Sequence, residues 1–106
     1  MTETVSQVAA REPGLVHDLK CWPRFFEGIL SGEKTWELRH NDRGFVKGDY
    51  LDLHEWDPFG SPGSYTGRRV LVQVTYVVSL QGVVPNHDFI PMVGMSVVKV
   101  VGSVHG

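Results

Sequence analysis

A lysine, a carboxylate and a guanidinium fall within six residues of one another at Lys34, Glu37 and Arg39. They enter an extended run, Lys34-Thr35-Trp36-Glu37-Leu38-Arg39. On a strand, alternate side chains share a face. Lys34, Trp36 and Leu38 then lie on one side and Thr35, Glu37 and Arg39 on the other. Lys34 stands at the strand's start, where a helix-to-strand turn swings its long stem back toward Glu37. Such a trio suits an anionic or strongly polar ligand. In an enzyme, Lys34 and Glu37 are the candidate catalytic pair, one as base and one as proton shuttle. In a binding site, Lys34 and Arg39 hold phosphate oxygens and Glu37 accepts from a base amino group. The plainer alternative is a surface ion pair, the commoner fate of such charges and worth little.

Neighbouring residues extend the candidate site. Asp42 and Arg43 follow in a polar turn, where Arg43 offers a further phosphate contact. The competing reading is an aspartate that orders its own turn. His17 and Lys20 sit on the expected first strand and reach toward the same cleft. A lone histidine there is more often a hydrogen-bonded structural residue. The five histidines show no close metal spacing, and His54-Glu55-Trp56-Asp57 is split between two faces by alternation. No metal and no cofactor are expected. Trp36 offers a stacking surface, but its place opposite Glu37 favours the core.

Composition bounds these readings. With 106 residues, the chain has room for one domain and one modest core. Apolar content of 42 % and charged content of 21 % are ordinary for a globular protein. A net charge of −2 means that any nucleic-acid site must be a local patch. The single cysteine, Cys21, excludes an internal disulfide framework and a multi-cysteine zinc site. No apolar stretch approaches the ~20 residues of a membrane span. Nothing at the start resembles a secretory signal, so a cytoplasmic location is the default.

The elements that position the candidate site follow from pattern. Residues 1–14 are polar and aperiodic and predict a flexible leader, with residues 15–106 as a single domain. Val16 to Lys20 suits a first strand. Trp22, Phe25, Phe26, Ile29 and Leu30 recur at helical spacing and predict a helix with an apolar core stripe. Pro23 fits its first turn and Gly32 its C-terminal cap. Lys34 to Arg39 is the second strand and Tyr50 to Trp56 the third. Residues 57–67 predict a hairpin loop. Arg68 to Val78 predicts one long strand, with Val70, Val72, Val74 and Tyr76 sharing a face. Residues 81–91 read as irregular, and Gly94 to Val104 closes the chain as a β-rich segment. The class is mainly β with one or two helices (α+β). Hairpin-length links imply mostly antiparallel pairing.

The motif Gly32-x-Lys34-x-x-Glu37-x-Arg39 resembles the signature of the ASCH superfamily. Further segments are similar to a compact subgroup of unknown function found in bacteria and their phages. They are His17-x-Leu19-Lys20, Asn41-Asp42-Arg43-x-Phe45-x-x-Gly48-Asp49, Leu53-x-Glu55-Trp56-Asp57, Tyr65-Thr66-Gly67-Arg68 and Val74-Thr75-Tyr76-Val77. The resemblance runs from about Val16 to Val100. It implies a PUA-like small β-barrel of five to six strands. For function it implies an RNA- or nucleotide-binding module, or else a small hydrolase acting on an acylated nucleoside or on RNA. In the small amidohydrolases of that superfamily, a lysine at the Lys34 position acts with a threonine where this chain has Glu37. Their glutamate after the fourth strand has no clear counterpart, and Asp88 lies in that region without a motif around it. A third class, a protein-interaction module, predicts an exposed apolar patch.

Overall fold

The computed structural model describes residues 11–80 and 92–104. They form seven strands and one helix. The strands are β1 (Val16–Cys21), β2 (Trp36–His40), β3 (Tyr50–Asp57), β4 (Ser64–Gln73), β5 (Tyr76–Ser79), β6 (Met92–Ser96) and β7 (Lys99–Val104), and the helix is α1 (Pro23–Ser31). Mainly β with one helix is therefore the architecture. The expected irregular stretch 81–91, with Asp88, and residues 1–10 of the expected leader lie outside the described residues.

Among the described residues the strands make two sheets and no closed barrel, ordered β1-β3-β4-β7 and β2-β6-β5. Seven strands replace the five or six expected, because two predicted strands each divide. The run Arg68 to Val78 breaks at Val74-Thr75. There the chain leaves one sheet for the other: Val74 N donates to Asp49 O, and Thr75 N to Ser96 O, each at 2.8 Å. Gly94 to Val104 breaks likewise at Val97, whose N–H donates to Thr35 O. A change of sheet rotates the faces. Val70, Val72 and Val74 are buried as alternation requires, but Tyr76 points outward. The β4 strand also begins earlier than expected, at Ser64, so the expected loop 57–67 shortens to a hairpin turn of about six residues.

One pairing departs from the antiparallel expectation. β1 and β3 are parallel, with Val16 opposite Tyr50 and Cys21 opposite Glu55. Two parallel neighbours need a crossover, and α1 supplies part of it. α1 begins at Pro23 and ends where Gly32 takes a left-handed conformation (φ 84°), its N–H bonded to Ile29 O. Phe26 and Ile29 enter the core, joined by Leu19, Leu51, Leu53, Val70 and Val72 from the first sheet and Val93, Met95 and Val97 from the second region. Trp22 and Phe25, expected in the same stripe, stay outside the core and partly exposed. The stripe is wider than the surface available to cover it.

Residues 11–14, at the end of the expected leader, lie against the body of the domain. Arg11 donates to both Asp49 oxygens, and the Gly14 and Leu15 amides donate to Asp49 Oδ1. The strap runs close to the chain at Gly48 (φ 96°), where a Cβ would come within 2.7 Å of Pro13. No helix among the described residues is long and apolar enough to cross a membrane.

Candidate functional site

The site is built at the seam between α1, β1 and β2. After the Gly32 cap, Lys34 N donates to Gly28 O at 2.8 Å. The Lys34 stem packs on Gly28, whose missing side chain leaves room for it. The chain then enters β2, and Glu37 turns inward with only 4 % of its surface exposed. A carboxylate so buried needs partners. Lys34 Nζ contacts Glu37 Oε1, and Arg39 Nε donates to Oε2 at 2.9 Å. Arg39 Nη2 also donates to the Lys20 carbonyl at 2.7 Å. Arg39 thereby ties the edge of one sheet to the edge of the other. The structure brings Lys34, Glu37 and Arg39 together in space.

The face assignment of Trp36 is corrected. Because Glu37 points inward, Trp36 stands outside with 55 % of its surface exposed. Neighbours on a strand cannot both face the core, and the two flanking cations draw the carboxylate in. Trp36, Trp22 and Phe25 become the walls of a cleft of about 580 Å³ whose floor holds Lys34, Glu37 and Arg39. Lys34 Nζ lies 4.7 Å from the Trp36 ring and 5.4 Å from that of Phe25, within cation–π range.

Comparison with known proteins bears on this seam. The family described as "Domain of unknown function (DUF3850)" matches residues 16–89. The chain belongs to this family. A relative is the "Uncharacterized 12.9 kDa protein in GpA 3'region" of Escherichia phage P2, 38 % identical over 65 residues. The match takes in 61 % of this chain and 56 % of the phage protein, so it spans little more than half of that relative. Neither description carries an activity. The DUF3850 span contains Lys20, Lys34, Glu37, Arg39, Asp42 and Arg43 and all three aromatic walls.

A second cleft of about 670 Å³ adjoins the first in this DUF3850 chain and shares Lys20 and Arg39 with it. Asp42 and Arg43 line it, with a loose contact of 3.8 Å between them. Lys20 Nζ rests 3.9 Å from the Trp56 ring and has no carboxylate partner among the described residues. Lys20, Lys34, Arg39 and Arg43 thus meet Asp18, Glu37 and Asp42 across the two clefts, a near balance of charge.

His17 does not join them. Alternation on β1 sends it inward with Leu19 and Cys21, while Lys20 goes outward. His17 Nε2 donates to Asp49 Oδ2 at 2.8 Å, and its ring packs on Phe45. Burial alone would raise the Asp49 pKa. Bonds from Arg11, His17 and the Val46 and Gly14 amides outweigh it and hold the carboxyl well below the usual range. Cys21 lines the first cleft, but burial first, and the nearby Glu37 charge second, push its thiol up to about 11. It is no nucleophile at neutral pH.

Sequence reasoning missed two groups. Asp18, Asp52 and His54 come together from β1 and β3, with ligand-capable atoms within 4.8 Å of one another. Only the parallel register, Asp18 beside Asp52, makes this visible. Arg69 already holds Asp52 (Nη2 to Oδ2, 2.9 Å), and the trio is part of a surface ion network. The Asp49 hub was also missed. Its only signal is an aspartate following Gly48 and preceding an apolar strand.

Proposed function

We propose that this chain is a cytoplasmic ASCH-type module that binds RNA or a nucleotide, with the base in the Trp22–Phe25–Trp36 cleft. The observation that carries this is the buried Glu37, held between Lys34 and Arg39 on the floor of a cleft walled by three exposed aromatic rings. Aromatic faces accept a base by stacking. Each Glu37 oxygen already accepts one bond and retains capacity for another, which suits an exocyclic amino group. Lys20, Arg39 and Arg43 line the adjoining cleft, where phosphate oxygens fit. The near balance of charge suits one or two phosphates rather than a long polyanion. The two sheets, joined by crossings at Val74 and Val97 and stitched by Arg39, are the basis for inferring a PUA-like, partly closed barrel.

The direct contact between Lys34 and Glu37 favours a second reading, a hydrolase of an acylated nucleoside or of RNA. Calorimetric titration with AMP, CMP and UMP tests the first. AMP and CMP, which carry an amino group, are expected to bind more tightly than UMP. Phe25→Ala should weaken AMP binding by about 5- to 100-fold. Absence of nucleotide binding, or binding indifferent to Phe25→Ala, sinks the base cleft. Turnover of an acylated cytidine or an RNA by the wild type separates the two readings. A binding module shows none, whereas a hydrolase shows turnover that Glu37→Gln lowers by roughly 10²–10⁴-fold.

A further inference from the structure

The outer face of the sheet β2-β6-β5 has an unusual profile. The register aligns Trp36, Ser96 and Tyr76 in one row and Leu38, Gly94 and Val78 in the next. Large side chains therefore stand on the two outer strands and small ones on the central strand. The result is a trough of about 420 Å³ with Ser96 and Gly94 on its floor. Its four walls remain open to solvent, and Tyr76 is 63 % exposed.

The width of the trough limits what fits. Neighbouring strands lie ~4.8 Å apart, so Trp36 and Tyr76 rise from backbones about 9.6 Å apart. A flat ring held between two others needs roughly 7 Å, twice a carbon–carbon contact distance. A planar group fits. A helix about 10–12 Å across does not enter. The trough also adjoins the first cleft, because Trp36 is a wall of both. Lys34 Nζ lies on the first-cleft side of this wall, 4.7 Å from the Trp36 ring.

We infer that this trough is a second base subsite, and that the ligand is a single strand of at least two nucleotides rather than a mononucleotide or a modified nucleoside. The inference rests on the base-cleft reading above and adds a direction to it. The first base lies among Trp22, Phe25 and Trp36. The second lies between Trp36 and Tyr76, and the phosphate between them crosses the outer edge of Trp36. Stacking without hydrogen-bond readout makes this second position tolerant of base identity.

The test compares AMP with the dinucleotide pApA by calorimetry, using wild type, Tyr76→Ala and Gly94→Leu. Tyr76 is exposed enough to be removed without disturbing the core. A Cβ on Gly94 meets only Val78 Cγ1 at an ordinary 3.5 Å, so a leucine fills the trough and leaves both aromatics in place. Circular dichroism checks the fold of each. pApA should bind wild type about 5- to 100-fold more tightly than AMP. Both variants should lose that gain and bind AMP as wild type does. If AMP binds and pApA binds no better, or if the gain survives both variants, the second subsite is wrong and the first cleft stands. If neither ligand binds, the base-cleft reading falls and takes this inference with it. If the variants alter self-association instead of pApA affinity, the trough is a protein contact.

Discussion

Replacing Asp49 by asparagine should remove a large part of the domain's stability. The Asp49 side chain is fully buried. Its Oδ1 accepts from Arg11 Nη1 (3.1 Å), Gly14 N (3.1 Å) and Leu15 N (3.3 Å). Its Oδ2 accepts from Arg11 Nη2 (2.6 Å), His17 Nε2 (2.8 Å) and Val46 N (3.1 Å). Asparagine keeps the shape, but whichever oxygen becomes NH₂ then faces three donors. Each buried partner left unsatisfied costs ~1–3 kcal/mol, more where charge is involved. These costs do not add, and opening a buried ion pair typically costs about 3–5 kcal/mol. Against a domain stability of ~5–15 kcal/mol, that is at least about a fifth of the whole. Urea unfolding at pH 7 should show a midpoint lower by roughly 2–3 M. The pH dependence gives a second check. The folded-state pKa of Asp49 is depressed, so its contribution is fully present above the unfolded value of about 3.9 and is lost as pH falls through the folded value. The gap between wild type and Asp49→Asn should therefore hold from pH 5 to 8 and shrink toward pH 2. A midpoint shift under about 0.5 M, or a gap that widens in acid, would refute this account of the hub.

Glu55→Ala should cost about 3 kcal/mol and lower the melting temperature by on the order of 10–20 °C. Glu55 accepts from Thr66 Oγ1 (2.6 Å) and from Arg68 Nε and Nη2 (2.8 Å each), and Arg68 also holds Glu27 of α1, so a calorimetric scan reads the loss of a helix-to-sheet tie. The Arg68 hydrogen bond holds the Glu55 pKa down against burial, so this tie weakens as pH drops below the unfolded value of about 4.3. Cys21 should react slowly with iodoacetamide at pH 8, well below the rate of a free thiol, because burial covers its thiol and pushes its pKa up to about 11. Rapid labelling of the folded protein would show that the first cleft opens to the core.

Much of the architecture was legible along the chain because it is local. Pro23 and Gly32 bracket α1, since one lacks an N–H and the other tolerates positive φ. Period-two alternation placed Leu51, Leu53, Val70 and Val72 in the core. The spacing of Lys34, Glu37 and Arg39 announced an ion cluster. Other features depend on which strand lies beside which, and one residue's neighbours along the chain do not carry that information. The parallel β1–β3 pair puts Asp18 beside Asp52, 34 positions away in sequence. The sheet change at Val74 turns Tyr76 outward against its own alternation. Trp36 is the clearest case. Hydropathy assigns the tryptophan to the core and the glutamate to water. Two cations brought to Glu37, one from the end of the helix turn and one along β2, stabilise the carboxylate inside, and strand geometry then leaves the indole outside. Tertiary electrostatics overrode a local preference there, and it did so at the residues that form the candidate site.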